Sequence, residues 1–439
     1  MVGETSPLKV AIIGSGPSGY YTAEALCAKS DNIEIDVLDR LPTPFGLIRG
    51  GVAPDHQSIK AVVKRYEKVA NRDNVHFIGN LNIGSDITLA EIEDLYDAVV
   101  ISTGAGLDRP LGIPGEDKAG VIGSACFVGW YNSHPDFVDL DISLSEPNVV
   151  VIGNGNVAID VVRVLSKTED EMAQSDIAAH AMDTLRTSKV RDLYVVGRRG
   201  PLEASFTIKE LRELGELSHC TPLVHPEDMP DEERVCDPDM PPVKKKICEC
   251  LQSFSENTPD DDKCRLHLRF YARPVEILGK EHVSGVRFER TRVENGKCIG
   301  TGETFDVDCQ LVVPCIGYRS APIEGAPFDN KAGRFINDDG VIRHGLYVAG
   351  WARRGPTGTI GTNKPDGELA AGHILANHKP MNKAGHDGLL ALAATRGLKL
   401  SNFAGWKKID EAEKNRAKGL APRAKYAHID EMMRIALGR

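Results

Sequence analysis

No two cysteines stand in a CxxC spacing, although the chain carries 10 of them in 439 residues. That pattern excludes zinc ribbons, clustered iron–sulfur ligation and a redox-active dithiol pair, and leaves each thiol as a small buried hydrophobe or an inert surface group. There is no apolar run of the roughly 20 residues that a membrane span needs, so no membrane association is expected. The opening stretch MVGETSPLK lacks a basic segment followed by an apolar one, and a cytoplasmic protein is expected. Positive charge is also short: the formal net charge is −10. Nucleic acid is therefore not an expected partner, and an acidic protein partner would need a local basic patch. What is present is ordinary, with 41% hydrophobic and 26% charged residues, and points to a globular chain of two or three domains.

The most informative stretch is VAIIGSGPSGYYTAEALCAKSDNIEIDVLD, from Val10 to Asp39. It reads as strand, glycine turn, helix, strand. Gly14 permits the tight turn, Gly16 lets backbone approach a pyrophosphate, and Gly19 lets the helix pack close on the strand. The free N–H groups at the helix start face the phosphates. Asp39 follows Gly19 at about twenty residues, where an acid accepts from a ribose hydroxyl. The Pro- and Gly-rich run after Arg40, which contains Gly46, Leu47 and His56, is expected to be an ordered loop. A helix is expected over 58–70, a strand over 75–78, a helix over 89–95 and a strand over 97–104.

A second fingerprint, Gly153-Asn154-Gly155-Asn156-Val157-Ala158, follows the strand at 148–151. It is the GxGxxA variant. Its second strand ends in Arg198-Arg199, where arginine pairs with phosphate oxygens and a carboxylate would repel them. This site is therefore expected to take NADP(H) in preference to NAD(H). Residues 225–242 read as an acidic surface loop, followed by Lys244-Lys245-Lys246 at a helix start. Segments 266–270, 275–278, 283–290 and 311–316 read as strands. A strand at 346–350 runs into a glycine-rich loop, then a helix over 367–376. The tail, 389–437, reads as helical packing without a motif. The fold class expected is α/β, with two Rossmann-like dinucleotide-binding domains.

An acid-anchored site beside an NADP(H) site suggests FAD with NADPH. In such an enzyme a hydride passes from nicotinamide to flavin. The chain resembles the adrenodoxin reductase family of NADPH–ferredoxin reductases nearly end to end. The motifs that carry the resemblance are VAIIGSGPSGYYTA, PFGLIRGGVAPDH, FVGWYNSHPDF, IGNGNVAIDVVRVL, VGRRGPLEASFTIKEL and GWARRGPTGTIGTNKPDG. It implies an NADP-binding domain, 107–319, inserted in an FAD-binding domain made of 1–106 and 320–439. By the same resemblance, FAD contacts fall on Ser18, Asp39, Gly46, Leu47, Ile83, Trp351, Gly358, Thr359 and Ile360. NADPH contacts fall on Gly153, Asn154, Gly155, Asn156, Arg198, Arg199, Glu210 and Gly358. Asp39 stands where many members have Glu, and Asn154 where mitochondrial members have Gln; neither change removes the chemistry.

His56, Asp160 and Glu210 are the candidate catalytic residues. His56 would organise the flavin site or supply a proton. Asp160 also suits a helix N-terminus on dipole grounds alone. The partner implied is an acidic ferredoxin or flavodoxin, docking near Lys244, Lys245 and Lys246, with Lys60, Lys64 and Arg65 as the other basic group. Three rival readings compete. A flavin monooxygenase is disfavoured because Phe127 to His134 has one residue too many for FxGxxxH. A glutamate-synthase small subunit would carry a cysteine-rich segment. A non-catalytic nucleotide-sensing protein would not need two full contact sets.

Overall fold

The computed structural model describes residues 6–230 and 239–438. Part of the expected acidic loop, 231–238, thus lies outside the described residues. The chain divides into two compact units. One comprises 1–107, 132–138 and 317–439; the other comprises 108–131 and 139–316. Residues 132–138, which the sequence reading put in the inserted domain, cluster with the chain ends.

The terminal unit is built on a seven-stranded sheet in the order Val341–Arg343, Leu346–Val348, Ala98–Ile101, Leu8–Ile13, Ile33–Leu38, Val75–Gly79, Ser401–Asn402. The five inner strands are parallel and the two edge strands are antiparallel. The inner strands are rich in Val and Ile and buried on both faces, as a parallel sheet requires. The chain leaves Leu8–Ile13 toward Ile33–Leu38 on one side, and Ala98–Ile101 lies on the other. That reversal makes the carboxyl end of Leu8–Ile13 the switch point, where open α/β sheets bind ligands.

The inserted unit repeats the scheme with five strands, all parallel: Leu311–Pro314, Asn148–Ile152, Asp192–Val196, Cys264–Arg269, Cys220–Val224. Its switch point lies between the first two of these. A three-stranded antiparallel sheet, Ala272–Leu278, Gly285–Glu294 and Lys297–Asp308, belongs to the same unit.

The structure departs from the sequence reading at four elements. The helix expected over 58–70 is two pieces, Gln57–Lys60 and Val63–Ala70. Between them Val62, Lys64 and Arg65 donate three residues back, to Ile59, Ala61 and Val62, so the helix narrows to a 3₁₀ turn there. The helix expected over 367–376 begins earlier, at Asn363–Asn377. The strand Lys297–Asp308 is long but its residues are largely exposed, so it offers little hydrophobic alternation to read. The tail is not helix throughout: Ser401 and Asn402 cap the sheet edge against Gly79 and Ile78. Among the described residues, no helix is long and apolar enough to cross a membrane.

Candidate functional site

In the terminal unit the first glycine turn is fixed by backbone bonds. Gly14 donates to Leu38 O at 2.7 Å and sits at φ +112°, where a side chain would lie 2.5 Å from Ser102 O. A side chain at Gly19 would collide with Gly14 O. Gly16 differs from both: a side chain there would meet no protein atom within 4 Å. Its lack of a Cβ therefore serves no packing need of the protein and leaves open space at the start of the helix Pro17–Lys29. Ser102, buried at the end of Ala98–Ile101, donates to Ile13 O at 3.1 Å and Gly14 O at 2.9 Å. It is a site residue that the sequence reading passed over, signalled only by the small-residue end of its strand.

Asp39 lies half-buried at the end of the second strand. Ser15 donates to its Oδ2 through N–H at 3.0 Å and through Oγ, and Leu41 N–H donates to Oδ1 at 2.9 Å. Burial pushes its carboxyl up from the ordinary range, and these donors oppose the shift. The remaining lone pairs can accept from a ribose hydroxyl. Gly46 caps the short helix Leu47–Gly50 at φ +50°, 3.0 Å from the Gly16 Cα by its would-be side chain. Leu47 is 41% exposed, and Ile83 is buried in the adjoining core. Ser18 lies buried beneath Gly350, which has no room for a Cβ.

The loop that carries Trp351 and Gly358 is held from behind. Asp366, 4% exposed, binds Arg353 Nη1 at 2.7 Å and Arg354 Nε at 2.8 Å. Arg354 reaches on to Asn363 Oδ1 at 2.9 Å, and Trp351 Nε1 donates to Thr357 O at 3.0 Å. Thr359 and Ile360 lead into a 3₁₀ turn, Ile360–Thr362, and then the helix Asn363–Asn377. The positive end of that helix lies next to Gly358–Ile360.

The PFGLIRGG loop is held by the tail. Arg49 forms a bidentate pair with Glu413, which is fully buried and also lies 3.4 Å from Arg423. Tyr426 N–H donates to the same carboxylate at 3.0 Å. Lys425 Nζ donates to Arg49 O at 3.1 Å and Asn132 Oδ1 at 3.0 Å. The Arg49 guanidinium lies 5.3 Å from the Trp406 ring. Burial raises the Glu413 carboxyl, but the Arg49 and Arg423 charges and the bonds from Arg49 and Tyr426 outweigh it and hold it below the usual range.

In the inserted unit, Gly153 donates to Val196 O at 2.9 Å at φ +134°, and a side chain there would strike Cys315 O. Gly155, like Gly16, faces open space. Asn154 O accepts from Ser205 and Phe206 N–H at 2.8 and 3.2 Å, and Asn156 Oδ1 accepts from Thr207 N–H at 2.8 Å. Thus the turn is tied to residues 205–207. Arg198 and Arg199 follow the next strand. Their carbonyls are fixed by Thr291, Cys298 and Tyr271, the first at 2.8 Å. Among the described residues, neither guanidinium has a hydrogen bond or ion pair. Two fixed, unpaired arginines at a strand end fit a phosphate.

Asp160 and Glu210, both expected to be catalytic, meet at Arg163. This arginine is 1% exposed and lies 2.9 Å from Asp160, 3.2 Å from Glu210 and 3.0 Å from Glu213. A buried guanidinium needs such partners, and no local pattern in the sequence marks it as buried. His56 sits in the terminal unit, half-buried, with its carbonyl accepting from Ile59 and Lys60. Of the three lysines, Lys245 and Lys246 are exposed on the helix Pro242–Ser255, but Lys244 is half-buried. Lys244 donates to Ala204 O at 2.6 Å, and burial lowers its ammonium below the ordinary lysine range. It is not part of a free basic face. Arg65 is bound to Glu24 at 2.7 Å.

Residues 8–194 match the family model described as pyridine nucleotide-disulphide oxidoreductase. The chain is 40% identical to the mitochondrial NADPH:adrenodoxin oxidoreductase of Arabidopsis thaliana, over 93% of this chain and 91% of that one. It is 39% identical to NADPH-ferredoxin reductase FprA of Mycobacterium tuberculosis, over 98% of this chain and 100% of that one. The solved structure of M. tuberculosis FprA in complex with NADPH superposes with a TM-score of 0.94 at 38% identity, covering 98% of this chain and 100% of the other.

Proposed function

Because the chain belongs to the family of NADPH-ferredoxin and NADPH:adrenodoxin reductases, we propose how its own residues perform that reaction: oxidation of NADPH and delivery of single electrons to a ferredoxin-type protein. The terminal unit holds FAD at Gly14, Gly16, Gly19 and Asp39, and the inserted unit holds NADP(H) at Gly153–Asn156, Arg198 and Arg199. FAD, when bound, accepts a hydride from NADPH and returns the two electrons one at a time. The observation that carries the assignment is the pair of open turns at Gly16 and Gly155, each at a switch point, with arginines that have no partner among the described residues at only one of them. Asp39 accepts from a ribose hydroxyl; Arg198 and Arg199 pair with a 2′-phosphate. Gly358–Ile360, at the positive end of a helix, favour negative charge on the isoalloxazine ring.

His56 is assigned to orienting the flavin site, while Asp160 and Glu210 act through Arg163 as positioning residues. The acidic partner docks on Lys245 and Lys246 rather than Lys244. Free thiols at all nine described cysteines suit a reducing compartment, and we place the protein in the cytoplasm; cell fractionation checks that. Stopped-flow mixing of the purified yellow protein with NADPH tests the function. Rapid bleaching of the flavin, followed by reduction of added ferredoxin, is expected. A colourless protein that takes up no FAD, or a flavin that NADPH leaves oxidised, overturns the reading.

A further inference from the structure

On the terminal unit's sheet, away from the glycine turn, three side chains of metal-ligating type converge on one point. Strands Ile33–Leu38 and Val75–Gly79 pair in parallel with Asp36 opposite His76, so both side chains leave the same face. Glu34, two residues before Asp36, shares that face. The helix Gly385–Thr395 packs there through Leu389 and supplies His386. His386 Nδ1 lies 3.0 Å from Asp36 Oδ1, and the two imidazole centroids are 4.3 Å apart. His76 Nε2 lies 3.5 Å from Glu34 Oε1. One donor atom each from Asp36, His76 and His386 falls within 4.8 Å of the others.

Asp36 is fully buried in a strand whose other residues, apart from Glu34, are Ile, Val and Leu. A buried carboxylate is costly, so its surroundings matter. The Tyr96 hydroxyl binds Oδ2 and leaves Oδ1 facing the imidazoles. A ligating carboxylate oriented by a hydrogen bond to its other oxygen is the usual outer-shell arrangement of metal sites.

We propose that Asp36, His76 and His386, with Glu34 beside them, bind one divalent transition-metal ion of the zinc class. Two imidazoles and a carboxylate suit Zn²⁺, while Mg²⁺ and Ca²⁺ prefer all-oxygen shells. Bonds of about 2.0–2.1 Å in a tetrahedron put donors about 3.4 Å apart. The Asp36–His386 edge already meets that spacing within tenths of an ångström. The remaining closure falls to ring rotation of His76 and His386, whose side chains are 32% and 23% exposed and open to solvent. Glu34 or water takes the fourth position. Because Asp36 and His386 are 350 residues apart in the chain, a bound ion cross-links the first strands to the C-terminal segment.

The test uses untagged, FAD-loaded enzyme, stripped with EDTA and desalted. Zinc chloride is titrated by calorimetry, and cobalt chloride by absorption to the red of the flavin bands. We expect one equivalent of either metal, a tetrahedral Co²⁺ spectrum, and a rise in the unfolding midpoint with Zn²⁺ by mass action. His76→Gln and His386→Gln should each weaken binding by about tenfold or more, and the double variant should abolish the midpoint shift. NADPH-dependent ferricyanide reduction should be unchanged in these variants. Substoichiometric zinc in the unmutated enzyme overturns the proposal, as does equal binding by His76→Gln. Either result leaves Asp36 and His386 as an ordinary ion pair.

Discussion

Among the described residues nothing competes for the charge of Arg198 and Arg199, so this pair is proposed to set nucleotide choice. Each charge-assisted phosphate contact is worth about 1.5–3 kcal/mol. Replacing either arginine with Gln should therefore raise KM for NADPH on the order of 10- to 100-fold and move KM for NADH little. Steady-state kinetics with both nucleotides checks this, and equal losses would show that the pair does not read the 2′-phosphate. His134 gives a pH effect at the same scale. Burial depresses its pKa to about 4, with Arg40, Arg49 and Lys425 adding to the shift and Asp136 opposing it. Its Nδ1 accepts from Asp136 N–H at 3.2 Å, so the ring is neutral in the fold. The unfolded chain binds this proton more tightly. Stability is thus full above about pH 6.5 and falls as pH drops toward 4, by up to about 3 kcal/mol. His134→Gln should flatten the urea-midpoint slope across that window; an unchanged slope would place the titration elsewhere.

At the scale of elements, the two fingerprint turns separate folding from binding residue by residue. Gly14 needs its positive φ and its missing Cβ for the protein's own backbone; Gly16 needs neither. Gly14→Ala should destabilise the apoprotein by about 2 kcal/mol or more. Gly16→Val should leave apoprotein stability within about 0.5 kcal/mol and still abolish FAD retention. Thermal unfolding of apoprotein, set beside the flavin content of protein as purified, distinguishes the two. A folded, fully yellow Gly16→Val variant would refute the role of that opening. The helix Pro242–Ser255 divides its lysines in the same manner. Lys244 is committed to Ala204 O, while Lys245 and Lys246 project outward. Lys245→Glu with Lys246→Glu should lower kcat/KM for ferredoxin and weaken its salt dependence, since exposed charges are screened over about 8–10 Å. Ferricyanide reduction should be unaffected. An unchanged ferredoxin rate would exclude this helix.

At the scale of the whole molecule, three separate chain segments make the terminal unit, and ion pairs hold them. Arg49, Asn132, Glu413, Arg423 and Lys425 draw on all three. Breaking a buried pair costs about 3–5 kcal/mol because the surviving charge stays buried. Glu413→Gln should therefore lower stability by that order and loosen FAD, since Arg49 carries the loop of Gly46 and Leu47. Urea unfolding and flavin-release fluorescence measure the two effects. Stability within about 0.5 kcal/mol of the unmutated protein would show that the network is solvated.

Local patterns settled much of this protein. Both glycine turns, the strands before them, the acid at Asp39 and the arginines at 198–199 are legible because turn geometry and burial on both faces of a parallel strand leave marks within a single strand–turn–helix–strand stretch. The sequence also points to two different nucleotide preferences, since charge at a strand end is a local feature. Tertiary structure alone decided what depends on distant partners. Glu210 acquired Arg163, Lys244 lost its freedom to Ala204, and a tail without a motif became the clamp on the PFGLIRGG loop through a pair 364 residues apart. Hydrogen bonds and ion pairs of this kind have no period and no fixed spacing. Only the packed fold brings their members within reach.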